Sequence, residues 1–223
     1  MKRLIVTIDG PAGAGKTTVS RMLAQRLGYR YIDTGALYRA VAFEARSAGI
    51  RIDDDGGLEE LCSRLKLTFS SNKKGLRLLS NGADITDLIR TPEISMAASA
   101  VSARPVVREF LLKVQRSFAR RKGIVIEGRD MGTVVFPNAD IKFYLDADPE
   151  ERARRRFAEL KDASGHTIKS VREEMQKRDQ NDSSRPLAPL RCAEDAIFID
   201  STHLTAEQVV DCMLSEMKQA MNK

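Results

Sequence analysis

Tryptophan is absent from the 223-residue chain, and aromatic residues make up only 5% of it. A protein that stacks bases of single-stranded nucleic acid on aromatic side chains needs a better supply, so that class is disfavoured. The three cysteines, Cys62, Cys192 and Cys212, are odd in number and far apart, with no metal-ligand spacing, which argues against a disulfide framework and a zinc site. No apolar run approaches the roughly 20 residues that a membrane span needs. The opening Met1-Lys2-Arg3 is basic and residues 4–8 are apolar, but Asp9 and a glycine loop interrupt them. That pattern reads as a first strand rather than a signal peptide. The expected location is the cytoplasm, with no membrane partner.

What is present is an ordinary globular balance, 42% hydrophobic and 30% charged. The length suits one domain with a small insert. The net charge of +6 fits nucleic acid, an acidic surface or a phosphorylated small molecule as partner. The positions of the arginines decide among them.

Strand signals are short and apolar at residues 4–8, 123–126, 141–145 and 197–199, with a further short strand around Tyr31-Ile32. None alternates cleanly, as expected of parallel strands buried on both faces. Helical patterns lie between them, at 16–27, after Asp33-Thr34, at 105–120 and from Asp148-Pro149 to about 160. Thr205 and Gln208 have the spacing of a capping box for the last helix. The alternation predicts a doubly wound α/β sheet. Residues 65–69 and 76–79 read instead as antiparallel strands of a small appendage spanning about 61–91, and 161–166 as the tip of a mobile flap.

The string Gly10-Pro11-Ala12-Gly13-Ala14-Gly15-Lys16-Thr17 has Walker A spacing, followed by Thr18, between a strand and a helix. Glycines let backbone N–H groups converge on phosphate oxygens, and a helix N-terminus adds positive potential there. Lys16 can reach the β- and γ-phosphates, and the Thr17 hydroxyl can ligate Mg²⁺. GTPases, motor ATPases and kinases all share such a cradle, so the rest of the chain must discriminate.

Bringing a triphosphate to a monophosphate gathers about six negative charges, which several arginines must offset. Four clusters supply them. Asp33-Thr34-Gly35-Ala36-Leu37-Tyr38-Arg39 follows a strand end, where open α/β folds bind ligands. Glu127-Gly128-Arg129-Asp130-Met131-Gly132-Thr133 follows another, and the Arg-Asp pair there could meet a ligand or form an internal salt bridge shaping the loop. Arg152, Arg154, Arg155 and Arg156 read as a solvated helix face or, beside a triphosphate, as an arginine-bearing flap, with Arg152 and Arg156 on one face. The fourth is Arg178-Asp179-Gln180-Asn181-Asp182-Ser183-Ser184-Arg185-Pro186, in which Arg178 and Asp182 are helix neighbours that could pair with each other, and Arg185 sits where Pro186 ends the helix.

These strings, with Ala188-Pro189-Leu190 after Arg185, resemble bacterial cytidylate kinases, in order and over almost the whole chain. The resemblance implies a three-layer α/β P-loop fold in one kinase domain over 1–223. It would have a five-stranded parallel sheet, a small antiparallel insert of the NMP-binding region at about 61–91, and a helical LID at about 152–170. It implies ATP with Mg²⁺ as donor and CMP or dCMP as acceptor. Gly10 to Thr18 would hold the donor. Carried over to matching positions, Arg39, Arg129 and Arg185 would hold the acceptor phosphate, and Ser99, Arg108 and Asp130, with Thr34 nearby, would read cytosine. Arg178 and Asp182 would meet the sugar, and Arg152 and Arg156 would belong to the LID. Lys16, Arg129, Arg152 and Arg156 are the residues expected to act on the transferring group. His166 and His203 are not asked to act, because an acceptor phosphate is already anionic at neutral pH. Kinases for UMP, AMP or shikimate, a nucleic-acid-binding ATPase and a nucleotide sensor are the competing readings. A monomer is expected, with no nucleic-acid partner.

Overall fold

A computed structural model describes residues 3–72, 75–159 and 167–221. In chain order its elements are β1 (Ile5–Asp9), α1 (Lys16–Leu27), β2 (Arg30–Asp33), α2 (Thr34–Ser47), α3 (Asp55–Arg64), β3 (Leu67–Asn72), β4 (Gly75–Ser80), β5 (Ala83–Asp84), α4 (Pro92–Val101) and α5 (Pro105–Phe118). There follow β6 (Ile124–Glu127), a π-turn (Met131–Val135), β7 (Ile141–Asp146), α6 (Pro149–Glu159), α7 (Ile168–Ser184), β8 (Ile197–Asp200) and α8 (Ala206–Met221). Among the described residues no helix is long and apolar enough to cross a membrane.

Five strands form a parallel sheet in the order β2-β6-β1-β7-β8. Ile5 is in register with Ile124, Val6 with Ile141 and Phe143 with Ile197. Val6, Ile8, Ile124, Val125, Ile126, Phe143 and Leu145 are buried. That explains the unbroken apolar runs, since strands covered on both faces have no polar side to alternate with. The strand ends differ from the sequence reading by about one residue. Gly123 lies outside β6 because its φ of +64° is not a strand conformation.

The chain divides into two compact units, residues 1–32 with 119–223, and residues 33–118. In the first, the strands order the phosphate loop and the helices that follow it. In the second, Leu37, Leu58, Leu78, Ile89, Val101, Val107 and Leu111 build a separate core, joining α2, α3, α5 and the antiparallel sheet β3-β4-β5. That small sheet lies at 67–84, inside the span 61–91 read from the turns, but Leu61 itself belongs to α3. The sequence reading did not include α3 or α4. Asp54 caps α3 by accepting from the Gly57 N–H, and Thr91 caps α4 ahead of Pro92. The predicted capping box of α8 is present, with Thr205 N–H donating to Gln208 Oε1 at 2.8 Å and Gln208 N–H to Thr205 Oγ1 at 3.2 Å. The predicted flap tip, 161–166, lies outside the described residues.

Candidate active site

Gly10 begins the phosphate loop with φ +147°, and a Cβ there would stand 1.9 Å from the Leu145 carbonyl oxygen. Only glycine lets the loop leave β1 so close to β7. At the far end, Gly15 is the N-cap of α1 and has no side chain to satisfy the first-turn amides, which suits a helix start that receives phosphate. Lys16 is buried and donates to the Pro11 carbonyl across the loop. Burial, and then the nearby Arg129 guanidinium, pushes its pKa down to about 7 against the opposing pull of Glu127 and Asp179.

Thr17 and Thr18 lie at the exposed start of α1. The Thr17 hydroxyl donates to Glu127 Oε2 at 3.2 Å, and the Tyr31 hydroxyl donates to Glu127 Oε1. A hydroxyl beside a carboxylate is the hard-oxygen set that suits Mg²⁺, which usually takes one or two protein ligands and completes its shell with water and phosphate. The described residues contain no cluster of three or more acidic, histidine or cysteine side chains able to hold a metal alone. The donor set therefore fits a metal that arrives with its nucleotide. Glu127 was read only as part of a motif string, and its end-of-strand position beside β1 is the signal that marks it.

The segment after β6 carries the second group of predicted residues. Arg129 Nε donates to Asp182 Oδ2 at 3.0 Å, while Arg185 lies 3.8 Å from Asp130 and 3.9 Å from Asp182. Asp130, Asp182 and Arg185 are buried, the Arg185 side chain only 7% exposed, and Arg129 is half-buried. Burial opposes the Arg129 charge, but the Asp182, Asp179 and Glu127 carboxylates outweigh it and raise its pKa. Arg129 thus pairs with Asp182 on α7, and Asp130 lies against Arg185. Likewise Asp182, one helical turn from Arg178, pairs with Arg129 and Arg185. Arg178 also lowers the Lys16 pKa, which puts it within electrostatic reach of the phosphate loop. The Ala188-Pro189-Leu190 string shapes this corner. Ala188 has φ +48° and accepts from Arg185 Nε at 2.8 Å, and the Leu190 N–H returns to the Asp182 carbonyl at 2.8 Å.

Arg152 and Arg156 share a face of α6 but not a role in the packing. Arg152 donates to the Ala12 and Ala147 carbonyls and to Asp179, whereas Arg156 meets Glu159 on an exposed turn. Arg154 and Arg155 both reach Glu151, and Arg155 also binds the Ser201 carbonyl at 2.7 Å.

In the other unit, Asp33 caps α2 with one oxygen, accepting from the Ala36 N–H, and takes Arg39 Nη2 with the other at 2.9 Å. Thr34, the first residue of α2, is buried. Arg39 is therefore held rather than splayed into solvent, its side chain 18% exposed. Arg108 donates to the Ser102 carbonyl at 3.1 Å and stands over the Tyr38 ring, 5.9 Å from its centroid. Ser99 is half-buried on α4, and its carbonyl accepts from Ser102. The structure brings Thr34 and Arg39 to the start of one helix, and Ser99 and Arg108 to the neighbourhood of Ser102.

Known proteins resemble this chain along its length. The cytidylate kinase family model matches residues 6–219. A cytidylate kinase of Geobacter sulfurreducens is 53% identical over 219 residues, covering 97% of this chain and 93% of the relative. One of Azotobacter vinelandii is 45% identical over 97% of this chain and 96% of its own. Among solved structures, a gluconokinase from Sinorhizobium meliloti shares the fold at TM-score 0.52 and 15% identity, covering 99% of this chain and 97% of its own. A shikimate kinase from Acinetobacter baumannii does so at 0.50 and 18%, covering 100% and 97%. The gluconate and shikimate enzymes share an architecture with this chain, whereas the sequence relation extends from β1 into α8, and the chain belongs to the cytidylate kinase family.

Proposed function

We propose that the chain transfers the γ-phosphoryl group of ATP to CMP or dCMP, giving ADP and CDP or dCDP. The observation that carries this reading is the buried network of Arg129, Asp130, Asp182 and Arg185, electrostatically coupled to the lysine of a phosphate loop, in a chain of this family. Two guanidiniums among carboxylates are ready to exchange partners for an incoming phosphate. The carboxylates can then meet the neutral donors of a base or sugar.

Gly10 to Thr18 bind the triphosphate, with Lys16 at its β- and γ-phosphates. In the unit of the phosphate loop, Arg129 and Arg185 serve the acceptor phosphate, Asp130 the base, and Arg178 and Asp182 the sugar; in the other unit, the family resemblance assigns Arg39 to the acceptor phosphate and Thr34, Ser99 and Arg108 to the base. Thr17, with Glu127 behind it, would hold Mg²⁺, which would offset negative charge on the phosphates. The acceptor oxygen is already anionic, so no side chain need remove a proton. The work of the chain is alignment, together with cations placed where charge gathers in the transition state. Arg152 and Arg156 supply two of those cations. All these side chains come from one chain, and we read the enzyme as a monomer acting on free nucleotides.

A panel of CMP, dCMP, UMP, AMP and shikimate with ATP and Mg²⁺, read by ADP release, tests the assignment. CMP and dCMP are expected to lead, and Asp130→Ala is expected to narrow their advantage over UMP by about 10-fold or more. A lead by any other acceptor, or ADP release that needs DNA or RNA instead, overturns the reading.

A further inference from the structure

Asp179 stands in the string from Arg178 to Pro186 with no role assigned to it, yet this residue joins three parts of the site. One carboxylate oxygen accepts from the backbone N–H of Ala12 in the phosphate loop at 3.0 Å. The other accepts from Arg152 Nη1, which also donates to the Ala12 carbonyl at 3.0 Å. Arg152 Nε completes the clamp on the Ala147 carbonyl at 3.1 Å, just past β7. Around this polar knot Ala12, Ala153, Val171 and Met175 form a small core. Gly13 is so closely covered that a Cβ would meet Met175 Cε at 2.6 Å and the Arg152 carbonyl oxygen at 2.7 Å.

We propose that Asp179 is a positioning residue for phosphoryl transfer: bridging the Ala12 amide and the Arg152 guanidinium, it presets Arg152 against the phosphate loop. The inference deepens the proposed function and rests on it. A free arginine samples many rotamers and loses that freedom when it engages a phosphate. Arg152 has already lost it in the folded chain, so its charge acts without reorganising during the reaction. The cluster also contains Lys16, Arg129 and Arg178, and a further cation held there needs a counter-charge. Asp179 supplies the nearer one and Asp146, 3.6 Å from Arg152 Nε, a second; the pull of Asp179 on Lys16 has the sign expected of that role. Arg152 and Arg156 thereby separate into two devices on one helix face. Arg152 belongs to the fixed base with α7 and the phosphate loop, while Arg156 lies beyond it.

A double-mutant cycle tests this. Asp179→Asn keeps an oxygen for the Ala12 N–H and nearly the same shape, but removes the carboxylate charge on Arg152 Nη1, leaving the more distant Asp146. It is expected to lower kcat about 10- to 100-fold while KM for CMP changes less than threefold. Arg152→Ala is expected to lose at least as much, and the double variant no more than Arg152→Ala alone, because Asp179 acts through Arg152. Asp179→Glu should recover part of the loss. Losses that multiply in the double variant, or full kcat in Asp179→Asn, overturn the proposal. So does a loss explained by a smaller folded fraction, measured by thermal melting at the assay temperature. If the wild-type chain prefers an acceptor other than CMP, the function reading fails and the same cycle is run with that acceptor.

Discussion

The Asp9 carboxylate accepts a hydrogen bond from the backbone N–H of Gly132 at 2.7 Å, its other oxygen taking the Met131 N–H at 2.9 Å. Asp9 ends β1 immediately before the phosphate loop, and Met131 and Gly132 follow the Arg129-Asp130 pair. One carboxylate therefore sets the spacing between the phosphate loop and the loop that follows β6.

Holding it there has a pH signature. Burial pushes the Asp9 pKa up to about 6, with the Asp130 charge adding and the two amides resisting. The folded chain thus binds this proton more readily than the unfolded chain, whose carboxyl has its ordinary value near 3.8. The cost of the buried charge is absent below about pH 4 and complete above about pH 6, where it reaches at most about 3 kcal/mol. Comparing melting of the wild type with Asp9→Asn from pH 4.5 to 7 should show the wild type losing ground as pH rises, then a constant difference. A difference that is flat over the whole range refutes the assignment.

Lys16 has the opposite sign and a functional readout. Its pKa of about 7 lies below the 10.5 of a free lysine, so it is mostly neutral at pH 8. A triphosphate in the loop favours the ammonium form, and the complex should take up close to one proton, about 0.9 per ATP. Calorimetric titration at pH 8 in two buffers of different ionisation enthalpy measures that number. Lys16→Arg, charged in both states, should show none. Equal heats in the two buffers for the wild type would refute the depressed pKa.

The parts legible in the sequence are those governed by short-range rules. The Lys16–Leu27 helix and the Thr205–Gln208 capping box need only neighbours within a turn, and both stand as read. Helix α4 carried a readable start in Thr91-Pro92, whereas α3 opens on Gly56-Gly57, two poor helix formers that hide it. The π-turn at Met131–Val135 had no local signal, because Asp9, 122 residues earlier, holds its first amides. Asp179 stands in a motif string without a legible role for the same reason: its partners Ala12 and Arg152 are 167 and 27 residues away. Charge clusters disclose which side chains a site contains. Their pairing is settled by strands that bring remote loops together.

That pairing also tells Arg156 from its neighbours. Among the described residues its guanidinium pairs with Glu159, three residues on, and the side chain is 36% exposed. An exposed pair of this kind contributes little to stability, well under about 1 kcal/mol, so it does not hold Arg156 in place. An arginine with that freedom can engage the transferring group as charge develops, and such a contact lowers the barrier without tightening ground-state binding. Arg156→Ala should therefore cut turnover about 10³-fold or more while CMP affinity moves only a few-fold. Arg156→Lys should restore little, because a point charge cannot span two phosphate oxygens as the planar fork does. Glu159→Ala serves as the control and should leave both constants near wild type. Steady-state kinetics paired with CMP binding by calorimetry separates the two effects. Equal losses in turnover and affinity would place Arg156 on the bound acceptor instead of the transition state.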